Sequence, residues 1–216
     1  LAIKAGKMVS TTSGSHSVFG DLAEGSRYVR TESPVLAVLF LTALPMILGY
    51  PFVSALMPVY ASEVFAVGPT GLGLLMSALG AGAVVGAFTM ASLGEVHHKS
   101  RWIIYGLGIA ILSMLLFSRA SDIKLALPLL IMFTLGLGIL TTMSGAFVQS
   151  MVPDRLRGRV TSLISVSGGL YPFGALLSGG MTELLGAPTS TLLATIPLSI
   201  VSLMVALKFK QVWQSS

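Results

Sequence analysis

Chemistry inside a membrane needs particular sets of side chains, and this sequence offers few of them. An intramembrane protease requires a serine with a histidine at membrane depth, or paired aspartates. "MSGA" (143–146) places Ser144 beside a glycine, but His16, His97 and His98 all lie in polar segments. His97 and His98 adjoin a single carboxylate, Glu95, and the chain has no cysteine. That is a poor set for a zinc site and an ordinary one for a solvated turn. No GxxxxGK[ST] run is present, so ATP hydrolysis is not expected. "GAGAVVG" (80–86) falls inside an apolar stretch, not after a strand, and its Gly82 and Gly86 form a helix-packing GxxxG pair. "LGLGI" (135–139) and "ALLSGG" (175–180) read as similar small-residue seams. No enzyme, metal or cofactor is expected from these residues.

The densest charge lies in "VPDRLRGRV" (152–160), which holds Asp154, Arg155, Arg157 and Arg159. Three arginines at a helix start oppose the helix dipole, which favours anions there, so helix stability does not explain them. Asp154 is the expected N-cap of the following helix. Arg155 and Arg159 are four apart and share a face, with Arg157 turned away. The loop reads as a topology anchor. It reads as a gate if one face pairs with carboxylates such as Glu95 while the other meets lipid phosphates. Glu63 and Glu183 fall near the outer ends of apolar stretches. They are interfacial carboxylates touching water, or ion-coupling groups. No Asp, Glu, Lys, Arg or His lies near the middle of any apolar stretch.

The elements that position these residues follow from composition. Of 216 residues, 54% are hydrophobic and 10% charged, with a mean hydropathy of +0.88. Soluble domains carry about 25% charged residues, and one of this size would still need a polar surface. The sequence therefore predicts an integral membrane protein. Crossing a bilayer takes about 20 apolar residues, and six stretches qualify: 35–65, 70–94, 102–118, 122–150, 160–185 and 188–207. The first is overlong and carries Pro45, Pro51 and Pro58, which predicts tilt and kinks. Short connections, among them "EVHHKSR" (95–101), make one six-helix bundle over 35–208. Residues 1–34 form a polar lead-in whose "FGDLAEGSRYVR" (19–30) is an interfacial helix or a solvated linker. Residues 209–216 form a tail. "LAIKAGKMVSTTSG" lacks an initial Met and a long apolar run, so it is not a signal peptide. The chain reads as starting inside a longer protein, or at an artificial boundary.

Six spans put both termini on one side. Of the thirteen Lys and Arg, only Arg119 and Lys124 fall on the other side. The positive-inside rule then places both termini and the loops with Arg101 and Arg155 in the cytoplasm. The net charge of +5 is a topology signal and not a nucleic-acid surface. Uncharged polar residues are uneven. Tyr50, Ser54 and Tyr60 lie in the first span; Thr134, Thr141, Thr142, Ser144 and Gln149 in the fourth; Ser162, Ser165, Ser167 and Tyr171 in the fifth. These richer spans are expected to line a cavity, with Tyr50, Ser54, Thr141, Gln149, Ser167 and Tyr171 as candidates. The plainer third and sixth are expected to face lipid. Any single Ser or Thr is as well explained by a bond to its own helix.

Three stretches carry a family resemblance: "LMPVYASEVFAVGPTGLGLLMSALGAGAVVGAF" (56–88), "LGEVHHKSR" (93–101) and "VPDRLRGRVTSLISVSGGLYPFGALLSGGMTELLGAP" (152–188). The chain resembles the C-terminal half of a major facilitator superfamily transporter, in the branch of enterobactin exporters and secretion effectors. The resemblance implies an all-α polytopic membrane protein with six transmembrane helices as two inverted three-helix repeats. It also implies a substrate site at mid-depth between two halves, with the third and sixth helices outside. Gly94 and Glu95 match a conserved loop motif of the family, from which "VHHKSR" departs. The expected function is export of small amphipathic molecules, of drug or siderophore type, by alternating access in a bacterial inner membrane. The expected partners are a small-molecule substrate, membrane lipid, and an N-terminal half or a second copy of the chain. The alternative is a non-catalytic six-helix subunit that binds a partner protein.

Overall fold

The computed structural model of the chain describes residues 33–92 and 98–208. Among them there is no strand. Six helical segments are long and apolar enough to cross a membrane: Pro34–Val64, Gly68–Met90, Lys99–Phe117, Ile123–Met151, Val160–Leu185 and Ala187–Lys208. Each begins and ends within a few residues of the expected place. The 19–30 segment, the Gly94–Glu95 loop and the C-terminal tail lie outside the described residues.

Proline does more to the first span than kink it. The span runs as a helix over Ser33–Leu48, a second over Tyr50–Ser54 and a third over Met57–Val59. It closes on a π turn, Tyr60–Val64, in which the Phe65 N–H reaches the Tyr60 carbonyl at 2.8 Å. Pro51 has no N–H to give the Ile47 carbonyl, and Pro58 none for Ser54, so the helical ladder fails at each. The fifth span breaks the same way. One helix covers Asp154–Gly168, the next Tyr171–Leu185, with Pro172 in the first turn of the second. Tighter bonds bridge the gap, from Gly169 N–H to Val166 O at 2.9 Å and from Leu170 N–H to Ser167 O at 3.1 Å. Pro153 occupies the cap position of the first of these helices, and Asp154 is its first helical residue. This corrects the expected Asp154 N-cap. Pro153 is extended, as a cap residue must be, and its fixed φ holds the entry. At the fourth span the cap is conventional, with Asp122 accepting from Lys124 N–H at 3.0 Å.

The spans pack in two groups. In one, the second and third clasp the fourth through glycine. A methyl group at Gly106 would stand 2.7 Å from the Gly136 carbonyl oxygen, and one at Gly136 would stand 2.6 Å from that of Gly106. On the other flank, Gly82 lies against the Ile131 carbonyl and Thr134, and Gly86 faces Leu135 and Gly138. "LGLGI" thus serves two seams, Gly136 toward the third span and Gly138 toward the second. Without a hydrophobic drive between helices in lipid, such close approach supplies the packing energy.

In the other group, the fifth and sixth spans flank the broken first. Gly174 sits over the Ile47 carbonyl and the Pro51 ring, with no room for a side chain. Gly179 and Gly180 meet nothing within the chain. The expected "ALLSGG" seam therefore runs instead through Gly174 and the buried Ser178. The sixth span leaves Leu193, Ile200, Leu203 and Leu207 exposed and turns its hydroxyls the other way. Its Ser190, Thr191, Thr195 and Ser202 are all buried, toward the bundle and away from lipid. An inverted repeat pairs spans one with four, two with five and three with six. It converts the group two-three-four into five-six-one, the second group the packing forms.

Candidate functional site

Around the breaks in the first span, hydroxyls tie the chain to its neighbours. The Tyr60 ring is fully buried. Its O–H donates to Thr191 Oγ1 at 2.9 Å and more weakly to the Ala187 carbonyl at 3.3 Å. Thr191 Oγ1 in turn donates to the Phe52 carbonyl at 3.0 Å. Phe65 and Phe117 close around the phenol, with the Phe117 ring 4.6 Å away centre to centre. This chain of bonds pins the C-terminal end of the first span to the sixth. It makes Tyr60 a structural residue with no open face.

Half the span inward, the same device faces open space. Tyr50 and Tyr171 lie at the centres of their spans, each immediately before a proline that breaks the helix. Their rings tilt against each other with centroids 5.8 Å apart. The Tyr171 phenol and the Ser54 hydroxyl share a hydrogen bond of 3.3 Å, and Ser54 also donates to the Tyr50 carbonyl at 2.8 Å. Beside Tyr50, the first, second and fourth spans border an open cavity of about 480 Å³. It is lined by Met46, Tyr50, Met76, Leu79, Gly80, Ala83, Thr134, Leu137, Gly138 and Thr141. The Thr134 and Thr141 hydroxyls donate to their own helix, to Leu130 O at 3.1 Å and Leu137 O at 2.9 Å. Each keeps lone pairs for an incoming donor. No lining side chain is charged. The cavity therefore offers adaptable thioethers, one phenol and a few acceptors, which suits a largely apolar guest with some hydrogen-bonding groups.

Of the expected cavity residues, Tyr50 and Thr141 line the cavity, while Ser54 and Tyr171 adjoin Tyr50 without lining it. Gln149 is exposed near the end of the fourth span, away from it. Ser167 is buried and donates to the Leu163 carbonyl at 3.3 Å. Glu63 is exposed in the π turn at the end of the first span, and Glu183 is exposed near the end of the fifth. At the opposite face, Arg101 is exposed, and Lys99 Nζ reaches the Ala146 carbonyl at 3.5 Å. Asp154, Arg155, Arg157 and Arg159 belong to the first turns of the helix Asp154–Gly168. Their side chains, like Glu95, lie outside what the structure describes.

Two features escape a reading by residue type. The apolar lining, Met46 and Met76 above all, carries no chemical signature. The aromatic pair does carry one: "YPF" occurs twice, at 50–52 and 171–173. The two copies meet in space, tyrosine on tyrosine.

With this geometry in hand, two comparisons bear on identity. A family model described as transmembrane secretion effector matches residues 3–215, almost the whole chain. No curated protein matches it.

Proposed function

The chain belongs to the transmembrane secretion effector family of major facilitator transporters, and from that premise we propose that it forms half of a secondary active exporter of small amphipathic molecules. It is a multi-pass membrane protein of a transporter family. In our reading, substrate enters the cavity between the first, second and fourth spans, beside Tyr50 and Tyr171. The other half, or a second copy of the chain, closes the open side. The observation that carries this reading is the mid-depth cavity itself, uncharged and hydroxyl-bearing, next to two helices broken at the same level. Transporter sites at repeat interfaces are formed by interrupted helices of this kind.

Exposure of the second and fifth spans supports the missing wall. Val84, Phe88, Phe173, Leu176 and Leu184 are among the most exposed large apolar side chains. Alternating access would rock the two halves about the site, with the termini and the Arg101 and Arg155 loops in the cytoplasm of a bacterial cell. In that reading Arg155 and Arg159 latch the cytoplasmic side, and Glu63 and Glu183 sit where a coupling ion would arrive from outside.

The test is to fill the cavity without disturbing the chain. A side chain at Gly80 meets nothing within the chain while pointing into the lining. In the complete transporter, Gly80→Phe is expected to abolish efflux of a fluorescent amphipathic dye from cells at unchanged membrane abundance. Efflux at the parent rate would defeat the proposal.

A further inference from the structure

A second cavity lies on the opposite, outer side of the bundle, where the third and sixth spans meet the first. It has a volume of about 240 Å³ and is walled by Leu41, Ile104, Leu107, Ile111, Leu203 and their neighbours, with Gly108 in its side. It is apolar but for Ser199 and Ser202. Ser199 donates to the Thr195 carbonyl at 2.7 Å. Ser202 is 4% exposed, and its hydroxyl has no hydrogen-bond partner. Leaving a buried hydroxyl unpaired is costly, so an acceptor is owed to it.

The groove lies nearer the membrane end that carries the third-span N-terminus, since its sixth-span wall runs from Ser199 to Ala206 of a helix that ends at Lys208. Arg101, Ile104, Gly108 and Ile111 are spaced three, four and three apart, so they follow one face of that helix. Arg101 is exposed at the head of this face, and no ion pair holds it among the described residues. Trp102 and Tyr105, packed edge to face at 6.3 Å, mark the same level as a headgroup boundary. Ser202 lies six residues inside Lys208, about 9 Å at the helical rise. That is deeper than a headgroup layer of about 5–7 Å per leaflet.

We propose that this groove binds an anionic phospholipid of the leaflet that carries Arg101. The Arg101 guanidinium takes the phosphate, a planar fork matched to two oxygens. One acyl chain fills the groove between the third and sixth spans. An ester carbonyl, an acceptor without a donor of its own, takes the Ser202 O–H. Charge and depth together select the occupant: a zwitterionic lipid would set its own cation against Arg101, and free phosphate would leave the apolar walls empty.

The purified chain, reconstituted in vesicles, tests this through Trp102 fluorescence. The chain has two tryptophans, so the Trp213→Phe background leaves Trp102 as the sole reporter. Phosphatidylglycerol with brominated acyl chains should quench it several-fold more effectively than brominated phosphatidylcholine at equal mole fraction. Millimolar inorganic phosphate should not compete. Arg101→Gln should reduce the preference to near one. So should Gly108→Phe, whose side chain enters open space and so keeps the fold, as circular dichroism would verify. Equal quenching by the two lipids in the parent background, a preference that survives either substitution, or displacement by free phosphate would overturn the proposal.

Discussion

The two packed groups solve one problem by opposite means. Spans two, three and four are unbroken helices held backbone to backbone, with Gly82, Gly86, Gly106, Gly136 and Gly138 at the seams. Spans one, five and six are interrupted or polar. Prolines open the first and fifth, and side-chain hydroxyls make bonds between spans beside the breaks through Tyr60, Thr191, Ser54 and Tyr171. Glycine contacts between backbones leave almost no freedom to shift, because neither partner can yield. Hydroxyl bonds across a broken helix can be exchanged one for another. The candidate substrate cavity lies where the two kinds of packing adjoin, with Met76 and Thr141 on the rigid side and Tyr50 on the adaptable one. In the proposed transporter, glycine packing would give the site a fixed wall and the broken helices a yielding one.

Substitutions rank the two groups. The largest effect is expected for Gly136→Val, whose side chain would drive into the Gly106 carbonyl and the Ala110 backbone. The cost should reach the upper end of the ~1–3 kcal/mol of overpacked cores. Thermal unfolding in detergent should show a large drop, with Gly108→Val, which meets open space, close to the parent. Equal stability of the two variants would break the rigid half of the comparison. Gly174→Val should cost about 1–3 kcal/mol by wedging the fifth span from the first. Unlike Gly136→Val, it should raise hydrogen exchange mainly in those two spans. Thr191→Val removes the nearer of the buried phenol's two acceptors and should cost about 1–3 kcal/mol. Pairing it with Tyr60→Phe should recover part of that loss in a double-mutant cycle, because no donor is then left unmatched. The smallest change in stability belongs to Tyr171→Phe, under about 1 kcal/mol for a half-buried bond to Ser54. That variant should change transport more than melting, which separates a working hydroxyl from a pinning one.

How much of this could be read in advance differs between the groups. The six spans and the seams at Gly82, Gly86 and "LGLGI" are legible because apolar length and small-residue spacing are local properties. The breaks are half legible: Pro51 and Pro58 announce trouble, but the π turn at Tyr60–Val64 depends on what Tyr60 finds across the bundle. The sixth span is legible only in part: Thr191, Thr195 and Ser202 turn inward while Leu193, Ile200 and Leu207 stay exposed, and sequence spacing alone does not say which of its faces is buried. Asp154 misleads in a smaller way, since Pro153 can hold the cap position by its fixed backbone without a side-chain bond. At the site, Tyr50 and Tyr171 stand out as mid-span phenols, while Met46, Leu79 and Leu137 are ordinary apolar residues until a cavity selects them. The repeated "YPF" was the one available signal that the two tyrosines belong together.

The central claim is that the cavity beside Tyr50 and Tyr171 carries substrate. The chain contains no cysteine, so a single introduced thiol is the only one this chain offers to a label. In the complete transporter, Thr141→Cys should react with a water-soluble maleimide, and saturating substrate should slow that reaction. Leu112→Cys, 55% exposed on the third span and turned to lipid in this account, should stay unlabelled. A Thr141→Cys that resists the reagent, or reacts at a rate substrate does not change, would contradict it.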